Sequence, residues 1–476
     1  MAVRFTYPDK EELVVEGPVG CTDVVSNDDY RFLDVGLPAE VARLKAAGYL
    51  EEARAECTRI IDSGVQPELE ACLRAERHRM GRLARQFCVT RSQALRTLRV
   101  EWPDVSDDDL DRLVRTRRID WRFIDGEQRF LNNFLDSLRV YPAEVPRLRP
   151  DAPYDLARRD AVLARMRDEG SVTCEITLRA SIEVPGALPN EHVRAWLPLP
   201  AAAFQQSDIE ILDATPGACV APEHVPARTI YWESTERRSF EVSYRYRIRA
   251  PYVDTTAPAP SAHAVEDPDP AFTEADLAEE RPHIRFTPYL AALTERLVAG
   301  VERPVDRARA IYDYITRNVD YRYQPAYAHL DDIADSCAKS LRGDCGVFAL
   351  TFITMCRIAG IPARWQSGLY VASDHVGPHD WAQFYTQEYG WLWADCSFGS
   401  SARRTGDESR RLHHFGNLDP WRMVANAAFQ AELTPASDGV RWDPFDNQMG
   451  EASVEGRGCD DCEMRRSIEL VSLVEL

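Results

Sequence analysis

Residues 343–399 read GDCGVFALTFITMCRIAGIPARWQSGLYVASDHVGPHDWAQFYTQEYGWLWADCSFG. After Gly343 and Asp344, the apolar residues Phe348, Leu350, Phe352, Ile353, Met355, Ile358 and Ala359 supply a helical pattern, and Gly360 followed by Ile361-Pro362 is a helix stop. Cys345 therefore falls in the first turn, where unpaired backbone N–H groups and the positive end of the helix dipole favour a thiolate. With an imidazole nearby, such a position lowers a cysteine pKa from about 8.5 to roughly 3.5–7.5. Gly346 leaves room for a substrate to approach the sulfur.

The segment His379-Asp-Trp-Ala-Gln-Phe-Tyr385 reads as a strand. Side chains alternate with period two, so His379, Trp381, Gln383 and Tyr385 share one face. After Gly390, the run Trp391-Leu-Trp-Ala-Asp-Cys396 reads as the antiparallel return strand, with Trp391, Trp393 and Asp395 on one face and Cys396 on the other. A carboxylate on the neighbouring strand holds the imidazole tautomer that takes a thiol proton. Taken singly, each residue has a structural explanation: a small buried thiol, a hydrogen-bonded core histidine, a turn former at a strand end. Their joint order suits nucleophilic thiol chemistry.

On these residues the stretch resembles the catalytic core of the transglutaminase-like superfamily, whose pattern runs G-x-C at a helix start, then G-I-P-A-R, H-x-W and W-x-x-x-D. The chain carries Gly343-Asp-Cys345, Gly360-Ile-Pro-Ala-Arg364, His379-Asp-Trp381 and Trp391-Leu-Trp-Ala-Asp395. The resemblance spans about residues 286–399 and implies an α+β, papain-like core. It implies Cys345 as nucleophile, His379 as general base and acid, and Asp395 as the orienting carboxylate. It also implies an oxyanion donor just upstream of the cysteine helix, for which Tyr323, or Tyr321, is the candidate. Asp395-Cys396-Ser397 departs from the Asp-Pro-Thr of many relatives, which leaves the strand's exit open.

The chain has 476 residues, 45% hydrophobic and 28% charged, enough for two or three globular domains. Its formal net charge of −20 argues against nucleic-acid and anionic-membrane partners. Lysine occurs only at Lys10, Lys45 and Lys339, so nearly all basic residues are arginines, as in a GC-rich bacterial genome. The opening MAVRFTYPDKEELVVEG has neither a basic region nor an apolar core of a signal peptide, and no apolar run reaches ~20 residues. Twelve scattered cysteines fit reduced thiols, and the expected location is cytoplasmic.

The expected organisation is a helical domain over 1–165, a β-sandwich-like domain over 166–255, an acidic Pro-rich linker over 256–282, the core over 283–400 and a C-terminal extension packing on the core over 401–476. In the first, Leu69, Leu73, Met80, Leu83 and Phe87 form a buried stripe, and Arg74, Arg77, Arg79, Arg82 and Arg85 are read as a solvated or domain-facing surface. Ser106 before three aspartates reads as an N-cap, and Asp125-Gly126 as a hairpin turn. In the second, residues 172–184 and 240–248 alternate strictly between apolar and polar. Such a β domain often precedes bacterial transglutaminase-like cores.

Elsewhere, Cys459-Asp-Asp-Cys462 is a single CxxC without the second pair that a zinc site needs, and His413-His414 lacks clustered carboxylates or cysteines. No phosphate-binding glycine loop and no EF-hand ladder of acidic residues is present, so neither cofactor nor metal is expected. The expected partners are a peptide or small amide substrate and an amine acceptor if the acyl group is transferred. Hydrolysis and transamidation share the same residues. The alternative from another class is a non-catalytic peptide-binding protein built on a relict core.

Overall fold

The structure is a computed structural model that describes residues 3–6, 25–148, 154–257 and 272–476. Residues 258–271, the larger part of the expected linker, lie outside the described residues, as do residues 7–24 of the amino-terminal stretch. The chain divides into two compact units: Lys10–Pro153 with Tyr321–Asp331, and Met1–Asp9 with Tyr154–Asp320 and Asp332–Leu476.

The first unit is mainly helical. Its longest helix, Pro67–Gln86, buries Leu73, Met80 and Leu83 from the predicted stripe, with Phe87 buried just beyond it. Ser106 caps the helix Asp107–Arg115 by accepting the Asp109 N–H at 3.2 Å. Strands Trp121–Ile124 and Glu127–Phe130 pair across Asp125 and Gly126, both with positive φ, the geometry of a type I′ turn. The arginine face is not wholly solvated, because Arg79 and Arg82 are buried. Arg79 donates to Ala328 O at 2.6 Å and Leu330 O at 2.7 Å and pairs with Asp331, tying residues 328–331 into this unit.

The second unit contains three antiparallel five-stranded sheets. In the first, Ser171–Glu183 pairs with Ser239–Pro251 in the register Leu178↔Tyr244. Its inward residues Cys174, Ile176, Leu178, Ala180 and Ile182 have no exposure, as strict alternation requires. The other edge of Ser171–Glu183 is taken by Arg465–Glu475, which also pairs with Val3–Thr6. In the second sheet Val193–Pro198 lies between Thr229–Ser234 and Glu451–Val454. From the expected C-terminal extension, Glu451–Val454 and Arg465–Glu475 are therefore strands of these two sheets, while Phe415–Gly416 and Arg422–Asn426 join the third. The physical reason is that long half-buried strands with open edges require partners, and the C-terminal strands supply them.

The third sheet is the core. Its strands are β1 (Ala363–Ala372), β2 (His375–Thr386), β3 (Gly390–Ala394) and β4 (Arg422–Asn426). Together with Phe415–Gly416 they give the order Phe415–Gly416, β3, β2, β1, β4. Helices α1 (Leu156–Glu169), α2 (Pro304–Asn318), α3 (Cys345–Ile358) and α4 (Cys396–Arg404) surround it. Helix α3 is buried on every side from Gly346 to Arg357, and its Phe352 stands edge-on to Phe384 of β2. It ends as the sequence predicts: Gly360, with φ of +75°, lets the Ile361 N–H return to Cys356 O at 2.9 Å. The return strand is shorter than expected. It ends at Ala394, and Asp395 leaves the sheet to cap α4, accepting the Phe398 N–H at 2.9 Å and the Ser397 hydroxyl at 2.9 Å. Local capping thus wins over strand continuation at Cys396.

Candidate active site

Cys345 opens α3. Asp344 is the N-cap and accepts the Val347 N–H at 3.3 Å. Gly343 is required by close approach, since a Cβ there would lie 2.4 Å from Val347 Cγ1. His379 sits in the middle of β2, paired with Gly368 of β1. Its Nε2 lies 2.7 Å from Asp395 Oδ2, and both side chains are almost wholly enclosed. Asp395 has three anchors: His379, the α4 cap, and Arg422, whose Nη1 is 2.9 Å from Oδ2. Arg422 arrives from β4, is itself fully buried, and is shared with Asp419 at 2.9 Å.

The electrostatics follow from this enclosure. Burial pushes the His379 imidazole below its usual range; Asp395 opposes that shift and Arg422 reinforces it. Asp395 is held far below the ordinary carboxylate range despite burial, because His379 and Arg422 face it. The pair is therefore a neutral imidazole oriented by a permanent anion, the form that can accept a proton.

The sulfur's hydrogen-bond partner is Asp380, the residue after His379, and not the imidazole. Cys345 Sγ donates to Asp380 Oδ2 at 3.1 Å. Asp380 is itself 2% exposed; its Oδ1 accepts from Gln448 Nε2, and its carboxyl is hydrogen-bonded to that of Asp446. Burial pushes Asp446 up to about 6, partly offset by its bonds to Ser367 and Asp380. Two carboxyls in contact share a proton rather than ionise together. The thiol pKa stands well above its usual value, first because the sulfur is buried and then because Asp380 and Asp344 are anions beside it. This overturns the expectation that the helix start lowers it: half a charge from a helix dipole does not outweigh burial of the sulfur together with the Asp380 carboxyl in contact.

The sequence argument named Cys345, His379 and Asp395 but missed Asp380, Arg422, Asp446 and Gln448. Asp380 was passed over because alternation puts it on the face opposite His379. The alternation does not say which element covers that face, so the contact with Cys345 was not legible from it. Nothing local marks the other three. Tyr323 lies in the helical unit, where its N–H donates to Ser137 Oγ at 3.2 Å and its ring meets Tyr321 edge-on. Trp381 and Trp393 are buried and both donate to Gln366 Oε1, at 2.8 and 3.3 Å, while Trp381 also stacks on His379. His413 and His414 are buried among rings, the first stacked on Tyr252 and the second edge-on to Phe398, and burial lowers them to about 3 and about 4. Cys459 is buried and Cys462 exposed. Among the described residues no cluster of His, Cys, Asp and Glu is arranged to hold a metal.

A helix opened by Cys345 thus packs on an antiparallel sheet that carries His379, and Asp395 meets that histidine from just beyond the return strand. Residues 291–396 match the model of the transglutaminase-like superfamily, and the chain carries a core of that class. No curated protein matches the chain. Among solved structures, it is similar to a "Putative Cysteine Protease from Cytophaga hutchinsonii", with 16% identity over 64% of this chain and 91% of that one and a TM-score of 0.40. The periplasmic domain of TgpA from Pseudomonas aeruginosa matches at 16% identity over 52% of this chain and 95% of that one, with a TM-score of 0.28. Both likenesses are distant, and no activity is transferred from them. No helix among the described residues is long and apolar enough to cross a membrane.

Proposed function

We propose that the protein is a transglutaminase-like thiol enzyme that acts on an amide bond through an acyl-Cys345 thioester. The observation that carries this reading is the enclosed His379–Asp395 pair, 2.7 Å apart, with His379 on the same strand as the Asp380 that touches Cys345 Sγ. The proposed cycle requires the Sγ–H to leave Asp380, come within reach of the neutral imidazole, with which it makes no hydrogen bond in the resting geometry, and pass its proton there. The thiolate then attacks the amide carbonyl carbon, and backbone N–H groups at the start of α3 receive the developing oxyanion. As the C–N bond breaks, His379 returns the proton to the leaving amine. Water or an amine then cleaves the thioester, with His379 again as base. The intact pair favours this reading over a non-catalytic peptide-binding protein on the same core. A reducing, cytoplasmic setting fits the eleven free cysteines among the described residues.

The test is mass spectrometry of the Cys345 peptide after incubation with a panel of peptide amides, with and without a fluorescent primary amine. Acylation of Cys345 that disappears in His379→Ala supports the enzyme, and capture of the amine separates transfer from hydrolysis. A panel that binds the protein tightly yet never acylates Cys345 would establish the binding module instead.

A further inference from the structure

Arg159 differs from the other buried arginines of its unit. Arg422 meets Asp419 at 2.9 Å, Arg411 meets Asp313 at 2.6 Å and Arg410 meets Asp160 at 3.0 Å. Arg159, on the inner side of α1, is 7% exposed and its side chain makes no hydrogen bond or ion pair with any described residue; its Nε and Nη2 are enclosed without an acceptor. Three rings surround its Cζ: Tyr154 at 3.8 Å, Tyr370 at 5.0 Å and Phe398 at 5.3 Å from their centroids. Aromatic faces offset part of the charge's desolvation, but they offer its N–H groups no directed acceptor.

Further groups that can donate are orphaned around these rings. The Tyr370 hydroxyl and the Trp421 indole N–H are also enclosed without partners, and Trp421 stands edge-on to Tyr370 at 6.4 Å. Asp419 feels the Arg159 charge but is committed to Arg422. A fixed cation flanked by unmatched donors is the complement of an oxyanion with two acceptor atoms, and the planar guanidinium fork suits a carboxylate. Tyr154, 38% exposed and also edge-on to His375 at 5.1 Å, places the surface on this side of the cluster. Phe398 links it to the candidate site, since the ring that faces Arg159 also meets His379 edge-on at 4.9 Å.

We propose that Arg159 and Tyr370 form a carboxylate-binding subsite, one aromatic ring away from His379. Its occupant is either a carboxylate carried by the substrate or a separate small carboxylate. The binding stands on its own; only its link to catalysis rests on the function proposed above.

Thermal unfolding of the full chain in acetate and in chloride, at matched pH and ionic strength, tests the subsite. Saturating acetate is expected to raise the wild-type Tm by about 2–4 °C over chloride. Arg159→Met should lose that response while unfolding in chloride no earlier than wild type, because it removes an unpaired buried charge. Tyr370→Phe should weaken the acetate response without abolishing it, and Cys345→Ala should keep it in full, which separates this result from any failure of the thiol mechanism. Stabilisation by a short peptide acid but not by its C-terminal amide identifies a substrate carboxylate; stabilisation by acetate but by neither peptide identifies a small free anion. The proposal is overturned if acetate stabilises wild type no more than chloride, or stabilises Arg159→Met equally. It is equally overturned if Arg159→Met lowers the Tm in chloride and acetate is without effect, the behaviour of a purely structural cation–π pin.

Discussion

Replacing Asp380 with Asn should make Cys345 more reactive, even though it disrupts a contact to the candidate nucleophile. In the resting protein the sulfur donates to a carboxylate oxygen 3.1 Å away. At that distance, and at an effective dielectric constant of about 20, one unit of charge disfavours the thiolate by about 5 kcal/mol. Asp380 shares a proton with Asp446, so it carries less than a full charge, and roughly half that figure is a fair working value. Part of the gain is returned because a less basic thiolate is a weaker nucleophile, with a Brønsted slope of about 0.4–0.5. About 1.4 kcal/mol then remains, which corresponds to roughly tenfold faster alkylation at a fixed pH below the thiol pKa. Asn conserves the size of the side chain and still accepts the thiol hydrogen, so packing should change little. The assay is iodoacetamide labelling with peptide mapping from pH 6 to 9, with Cys219 and Cys462 as exposed internal references. A rate within twofold of wild type across that range would refute the argument that Asp380 holds the sulfur protonated. Slower labelling would show that the carboxylate helps to form the thiolate.

Three further outcomes follow from the geometry. Asp395→Asn removes the anion that His379, Arg422 and the α4 cap all face, and should lower the rate of Cys345 acylation by about 10³–10⁴-fold, measured by single-turnover mass spectrometry. Stability should fall as pH drops from about 6.5 towards 4, because His375, His413 and His414 are held neutral to about 4, 3 and 4, whereas the unfolded chain takes up protons near 6.5. The upper bound is roughly 3 kcal/mol apiece. Asp446, raised to about 6, works the other way between 4 and 6, as do Glu280 and Glu451, raised by burial, while His329 and His379, lowered by burial, act with the three histidines; urea unfolding at several pH values reads the balance, and a midpoint that rises on acidification contradicts it. Gly399→Ala places a Cβ 2.0 Å from Tyr312 Oη, which donates to Arg411 O at 2.7 Å, so α4 must move from α2 at a cost of about 1–3 kcal/mol in urea unfolding.

The helix opened by Cys345, the hairpin that carries His379 and the alternating strands near 172 and 240 were legible because each is written in a local period with its own stop signals. The end of the return strand was not, since Asp395 serves equally as a strand residue and as a cap, and only the helix that follows decides between them. The sulfur's electrostatic setting was misread for a related reason. Period-two reasoning sorts residues by face and says nothing of which element covers that face, so Asp380 was left out while the helix dipole was given too much weight. Arg422, Asp446 and Gln448 come from residues paired to the core through long-range strand contacts, which no window of sequence contains.

Val3–Thr6 pairs with Arg465–Glu475, and Asp446 and Gln448, which hold Asp380, follow Cys345 by about a hundred positions. During synthesis, Cys345 leaves the ribosome roughly a hundred residues before its neighbours Asp446 and Gln448, at elongation rates of about 5–20 residues per second. For that interval of several seconds, the nascent chain carries the thiol without the contacts that silence it in the finished protein.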